Sequence, residues 1–181
     1  MDYQVINSEI VYHGPVFDLR RDRLSLPNGK IAHLDIIDHR DAVTLIPLDE
    51  EGQIWFIEQY RHAAGRILLE LPAGVAEENE APEISAQREI REETGMAASQ
   101  IHRLGGFYLA PGYSTEYMHI FLATGLYPAP LPMDEDEIIQ VRKITAREAY
   151  HLAETGQLQD SKSLVALFWA RPYFVQRGFI D

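Results

Sequence analysis

The chain has 181 residues, 46% of them hydrophobic, enough for one domain with a sizeable core and a small extension. A formal net charge of −12 argues against nonspecific binding to DNA or RNA, whose phosphate backbone would be repelled. No stretch approaches the roughly 20 apolar residues of a membrane span, the first residues lack the basic-then-apolar pattern of a secretory signal, and zero cysteines leave no disulfide and no thiolate metal site, so a cytoplasmic protein without a membrane partner is expected.

Taken in order, the first forty residues read as strands. Residues 16–26 alternate roughly between apolar and polar, Pro27-Asn28-Gly29 turns the chain, and 31–38 return. Such a hairpin has too little apolar surface to stand alone and must pack on something. Residues 42–48 read as a buried strand, 49–52 as a turn, 53–60 as the next strand, and 68–72 as a short extended piece. An acidic helix follows. Pro82 suits its first turn, Gly95 suits the left-handed position that ends it, and Ala86, Ile90 and Thr94 form a stripe that can face a core. Strands are expected at 101–108 and 117–123, separated by the loop 109–116. After a proline-rich stretch, 127–132, come the acidic residues Asp134-Glu135-Asp136-Glu137 and a strand at 138–144. Thr145 can cap a helix over 146–155, with Glu148 placed for a capping box and Gly156 ending it. A last helix opens at Ser161 or Ser163, runs through Trp169 and stops near Pro172. Strands mixed with a few helices indicate an α/β fold.

The chemistry is concentrated in the acidic helix. Glu89, Glu92 and Glu93 are three and four apart, so a helix puts them on one face. Like charges at that spacing weaken an isolated helix by roughly a few tenths of a kcal/mol per pair. A cation would remove that cost, and hard oxygen ligands suit Mg²⁺ or Mn²⁺. The alternative is a solvated acidic face.

The full run is Gly74, five residues, Glu80, seven residues, Arg88-Glu89-Ile90, one residue, Glu92-Glu93, one residue, Gly95-Met96. It resembles the complete Nudix hydrolase box, with every fixed position filled. The resemblance implies a Nudix α/β/α sandwich with a mixed sheet, residues 41–181, preceded by an N-terminal antiparallel strand extension, residues 1–40. It implies a homodimer formed through those first strands. Glu70-Leu71-Pro72-Ala73-Gly74, Gln59-Tyr60-Arg61 and the loop Leu109-Ala110-Pro111-Gly112-Tyr113-Ser114-Thr115-Glu116 resemble one branch, the ADP-ribose pyrophosphatases and related nucleotide-sugar hydrolases. That branch often has Ser where this chain has Ala110.

By this resemblance, the protein uses Mg²⁺ or Mn²⁺ to split the pyrophosphate bond of ADP-ribose into AMP and ribose 5-phosphate. Another nucleoside diphosphate sugar such as GDP-mannose, or a dinucleotide, is the alternative substrate, and a non-catalytic nucleotide-sensing module is the competing class. The implied metal ligands are Glu89, Glu92, Glu93, Glu116 and the carbonyl of Ala73. Glu80 is either a further ligand or a charge favouring the helix N-terminus. Arg88 orients the metal-binding glutamates within the catalytic set. Glu137 is the first choice of general base and Glu135 the second. Arg61, Glu70, Pro111, Gly112 and Glu116 are implied on the substrate, with Arg61 near its phosphates. Tyr12, Phe17, Tyr108 or Tyr113 could stack on a base, and His62 reads as a surface histidine.

Overall fold

The computed structural model describes residues 2–133 and 137–181, so Glu135 lies outside the described residues. In chain order the elements are β1 (Gln4–His13), β2 (Phe17–Ser25), β3 (Ile31–His39), β4 (Ala42–Pro47), β5 (Gln53–Arg61), β6 (Arg66–Glu70), β7 (Ala73–Val75), α1 (Pro82–Thr94), β8 (Met96–Tyr108), β9 (Tyr117–Pro128), β10 (Ile139–Thr145), α2 (Ala146–Glu154) and α3 (Ser161–Gln176). They fall into two compact units, Met1–Asp41 with Phe107–Tyr117, and Ala42–Gly106 with Met118–Asp181.

The first unit is an antiparallel meander in the order β1-β2-β3. Gly29, at φ 79°, makes the turn expected at Pro27-Asn28-Gly29, and its N–H donates to the Leu26 carbonyl at 2.9 Å. Cross-strand ion pairs hold the register of β2 and β3: Arg20 with Asp38 at 2.6 Å and Arg21 with Asp35 at 2.7 Å. The loop between β8 and β9 adds to β3, because Ile37 donates to the Tyr113 carbonyl at 2.8 Å and accepts from Thr115 N at 3.0 Å. Every position of β1 is exposed.

In the second unit, β4 is buried at all of its positions, as a continuous apolar run requires when both faces of a strand are covered. It pairs in parallel with β9 and antiparallel with β7, within a mixed sheet ordered β7-β4-β9-β8. Val43 and Leu45 of β4 join Ala86 and Ile90 of α1 and Phe121 of β9 in one core cluster. The stripe read along α1 therefore faces the core, with Thr94 also buried. A second, antiparallel sheet runs β10-β5-β6.

Helix ends follow local chemistry. Gly95 closes α1 at φ 72°, and its N–H donates to the Arg91 carbonyl. Thr145 caps α2 by accepting from Glu148 N at 3.1 Å. The structure corrects three expectations. β8 starts at Met96, directly after the helix cap, and β9 runs on to Pro128, so both strands are longer than read. The short extended piece read at 68–72 is instead the end of β6, which stops at Glu70, and a separate strand, β7, follows at 73–75. Pro172 does not stop the last helix, which continues to Gln176. Proline removes only the bond to the carbonyl four residues back, that of Phe168, and Phe168 is exposed, so water can satisfy it. Phe174, fully buried against the rings of Tyr150 and Phe179, draws the extra turn onto the core.

Candidate active site

In the second unit Glu89 and Glu92 of α1, with Glu80 of the loop before it, gather around Arg88. Arg88 spends all five of its N–H donors. Nε and Nη2 reach the two oxygens of Glu80 at 3.3 and 3.1 Å. Nη1 reaches Glu89 at 2.6 Å and Glu92 at 2.9 Å. The other Nη2 hydrogen goes to the Val75 carbonyl at 3.1 Å. No donor is left over for a substrate, so Arg88 acts on its glutamates. Glu80 also accepts from Glu77 N at 3.0 Å and Ser85 Oγ at 2.7 Å. Its carboxylate is thereby tied into the loop before α1.

Glu89 and Glu93 lie deeper, each less than a tenth exposed. Glu93 accepts from Ala73 N at 2.8 Å. The carboxylate of Glu89 rests on bare backbone at Gly74, where a Cβ would lie 2.1 Å from its Cδ and Oε1. Any side chain there would expel the carboxylate, which gives the first glycine of the motif a steric reason. Burial pushes Glu89 up to about 7, against the pull of Arg88 and with help from the charges of Glu92 and Glu137. Burial also drives Glu93 well above the usual carboxylate range, with Glu89 and Glu137 adding to it. Glu80 behaves in the opposite way. Burial works against its charge, yet hydrogen bonds from Arg88, Glu77 N and Ser85 bring it down to about 2.

Glu137 therefore stands close enough to Glu89 and Glu93 for its charge to act on both. Among the described residues, no three acidic or imidazole side chains already converge as a metal cage. Arg88 draws Glu89 and Glu92 to itself instead. The donor set still fits a hard divalent cation: Glu80, Glu89 and Glu92 share one guanidinium, and buried Glu93, outside that trio, accepts a backbone N–H.

A second cluster lies at the end of β6. Arg61 grips Glu70 with two parallel bonds, Nε at 2.8 Å and Nη2 at 2.7 Å. Glu70 is 2% exposed in its side chain, whereas Arg61 is 41% exposed, so Glu70 lies beneath the arginine. Lys162 also donates to Glu70, and it pairs with Asp160 at 3.0 Å. Burial opposes the charge of Glu70, but Arg61 and Lys162 together hold its pKa below normal. Sequence reasoning missed Lys162 and Asp160. The available signal was a lysine in the first turn of a helix, where the dipole disfavours a cation.

The remaining sequence-derived residues belong to the first unit and are described within it. Pro111 and Gly112 are exposed, at a turn in which Tyr113 N and Ser114 N both donate to the Ala110 carbonyl. Glu116 is half-buried, and its N–H donates to Ser114 Oγ at 3.2 Å. Tyr12, Phe17, Tyr108 and Tyr113 are all exposed. His62, in the second unit, is exposed too.

Comparison with known proteins identifies the family. Residues 38–168 match the family model described as the NUDIX domain. The chain is 35% identical over 169 residues to the ADP-ribose pyrophosphatase of Bacillus subtilis (strain 168), covering 92% of this chain and 91% of that one. It is 34% identical over 166 residues to the methanol dehydrogenase activator of Bacillus methanolicus, covering 91% and 90%. A crystal structure of an ADP compounds hydrolase superposes with a TM-score of 0.88 over 99% of this chain and 98% of that one, at 24% identity.

Proposed function

The chain belongs to the Nudix family of pyrophosphate-cleaving hydrolases, and on that premise we propose that it hydrolyses ADP-ribose to AMP and ribose 5-phosphate with Mg²⁺ or Mn²⁺. The observation that carries this reading is the pair of buried carboxylates on α1: Glu89 shares Arg88 with Glu80 and Glu92, Glu93 is held by a backbone N–H, and burial outweighs both supports. Glu89, Glu92, Glu93 and the carbonyl of Ala73 would hold the ion, and the family resemblance adds Glu116. When bound, such an ion neutralises the diphosphate and lowers the pKa of its water.

The chain's own residues have separable tasks. Arg88 holds Glu89 and Glu92 apart from Glu80 and keeps them oriented. Ala73 N fixes one oxygen of Glu93. Arg61 presents the part of its guanidinium not gripped by Glu70 to a phosphate. Glu137, within electrostatic reach of Glu89 and Glu93, takes the proton of the attacking water. Pro111 and Gly112 shape the substrate loop by resemblance. The same reading places the protein in the cytoplasm. It also makes it a homodimer through the β1 sheet, where Val5, Ile6, Ile10, Val11 and Tyr12 lie exposed on one strand. Among the described residues no helix is long and apolar enough to cross a membrane.

The test is a panel of ADP-ribose, GDP-mannose and a dinucleotide with Mg²⁺, compared by kcat/KM with product identification. ADP-ribose is expected to lead and to yield AMP. A higher kcat/KM on GDP-mannose would move the assignment to another nucleotide sugar. Binding without turnover of any of them would leave a nucleotide-sensing module.

A further inference from the structure

The start of α3 is joined to the segment beside Glu93 by a buried polar chain. Asp160 caps the helix, with Oδ2 accepting from Ser163 N at 3.0 Å and Ser163 Oγ at 2.5 Å. Having given its proton to Asp160, Ser163 Oγ accepts from Leu71 N at 2.7 Å. One residue earlier, Lys162 donates to Glu70 and pairs with Asp160 at 3.0 Å. Lys162 is 7% exposed and Ser163 is fully buried.

These contacts pin consecutive residues of one short stretch. Glu70 is held through its side chain and Leu71 through its N–H. The Pro72 carbonyl accepts from Leu45 N at 3.0 Å and Thr44 Oγ1 at 3.1 Å. Ala73 N is committed to Glu93. The same Glu70 grips the Arg61 fork. A largely buried ion-pair group, with Arg61 at its exposed edge, is a poor source of stability compared with apolar packing. Its geometric effect is specific: with Lys162 on Oε2, Glu70 cannot turn without breaking a charged bond, so the fork of Arg61 has a single aim.

We infer that Lys162, braced by Asp160 at the N-terminus of α3, is a positioning residue that aims the Arg61 guanidinium at the substrate diphosphate through Glu70. This inference rests on the reading of Arg61 as a phosphate contact. Lys162 touches neither substrate nor metal and acts only through the carboxylate of Glu70.

The experiment combines a mutant cycle with a substrate-free measurement. Lys162→Met keeps an unbranched apolar stem and removes the terminal ammonium with its charge. It is expected to raise KM for ADP-ribose by roughly 5- to 20-fold while changing kcat less than about threefold, because the aim of Arg61 acts on binding. Arg61→Ala should raise KM on its own, and adding Lys162→Met to it should raise KM little further, since the two share one route. A merely structural lysine would reduce the active fraction and leave KM alone. An unchanged KM, or effects that multiply in full, overturns the inference. In substrate- and metal-free protein, the ¹⁵N-resolved Nε–H signal of Arg61 should shift and exchange faster with water in Lys162→Met. If the wild-type protein turns over no nucleotide, the function reading fails, and this signal alone decides whether Lys162 sets the arginine; an unmoved signal then overturns the inference. Should Lys162→Met not fold, Asp160→Asn retains the helix cap, loosens Lys162, and must move KM and the Arg61 signal in the same directions by a smaller amount.

Discussion

Two buried acidic clusters of the second unit differ in their charge balance. Around α1, Glu80, Glu89 and Glu92 share Arg88, while Glu93 accepts a backbone N–H on one oxygen and feels the charge of Lys162 less than its own burial. At the end of β6, Glu70 and Asp160 face Arg61 and Lys162, charge for charge. The same carboxylate chemistry then titrates in opposite directions: burial raises Glu89 to about 7, whereas its two cations keep Glu70 below normal. A balanced cluster is a finished structural joint. An unbalanced one is relieved by protonation or by a cation from outside, and the second route is what a metal-dependent site uses.

The largest effect expected from this contrast is on the balanced side. Glu70→Ala leaves Lys162 buried beside Arg61 and should cost about 3–5 kcal/mol in denaturant unfolding, as removing one partner of a buried pair does. A loss under about 1 kcal/mol would break the comparison. On the unbalanced side, Glu93→Gln should lower kcat by roughly 10²–10³-fold, about 3–4 kcal/mol, yet leave the metal-free protein as stable or more so, because it replaces a carboxyl whose charged form burial disfavours with a neutral amide. Turnover equal to wild type would remove Glu93 from the metal site.

The pH dependence comes next. Glu89 binds its proton more tightly folded than unfolded, so its contribution is fully present below pH 4.5 and is lost as pH rises through about 7. That shift corresponds to on the order of 3 kcal/mol. Thermal melts in a chelator should fall across this window, and adding Mg²⁺ should restore stability above pH 7. Glu80 has the reverse sign: its contribution is present above pH 4.5 and is lost as pH falls through about 2. The smallest effect sharpens the contrast from outside. Arg142 pairs with Glu58 at 3.0 Å with both side chains substantially exposed. Arg142→Ala should cost less than about 1 kcal/mol, showing that burial and balance matter more than the presence of a pair.

The box was legible because its parts are local. Glycine, arginine and glutamates at helical spacing meet through one turn of loop and one helix, so linear spacing carries the geometry. Pro82, Gly95 and the Ala86–Ile90–Thr94 stripe acted as read for the same reason. Strand extents at 96–108 and 117–128 were less legible, since sheet pairing lengthens a strand past its apolar run. Lys162 was invisible as a partner of Glu70 because 92 residues separate them.

The sequence alone determined the acidic helix, its caps and the surplus of negative charge on one of its faces, because each depends on neighbours within a few residues. Only the tertiary structure decided which carboxylates are buried, that Glu89 rests on the bare backbone of Gly74, and that α3 returns to brace Glu70. Burial and long-range ion pairing are properties of chain segments brought together, and they set the local dielectric and charge balance on which the titration of each glutamate depends.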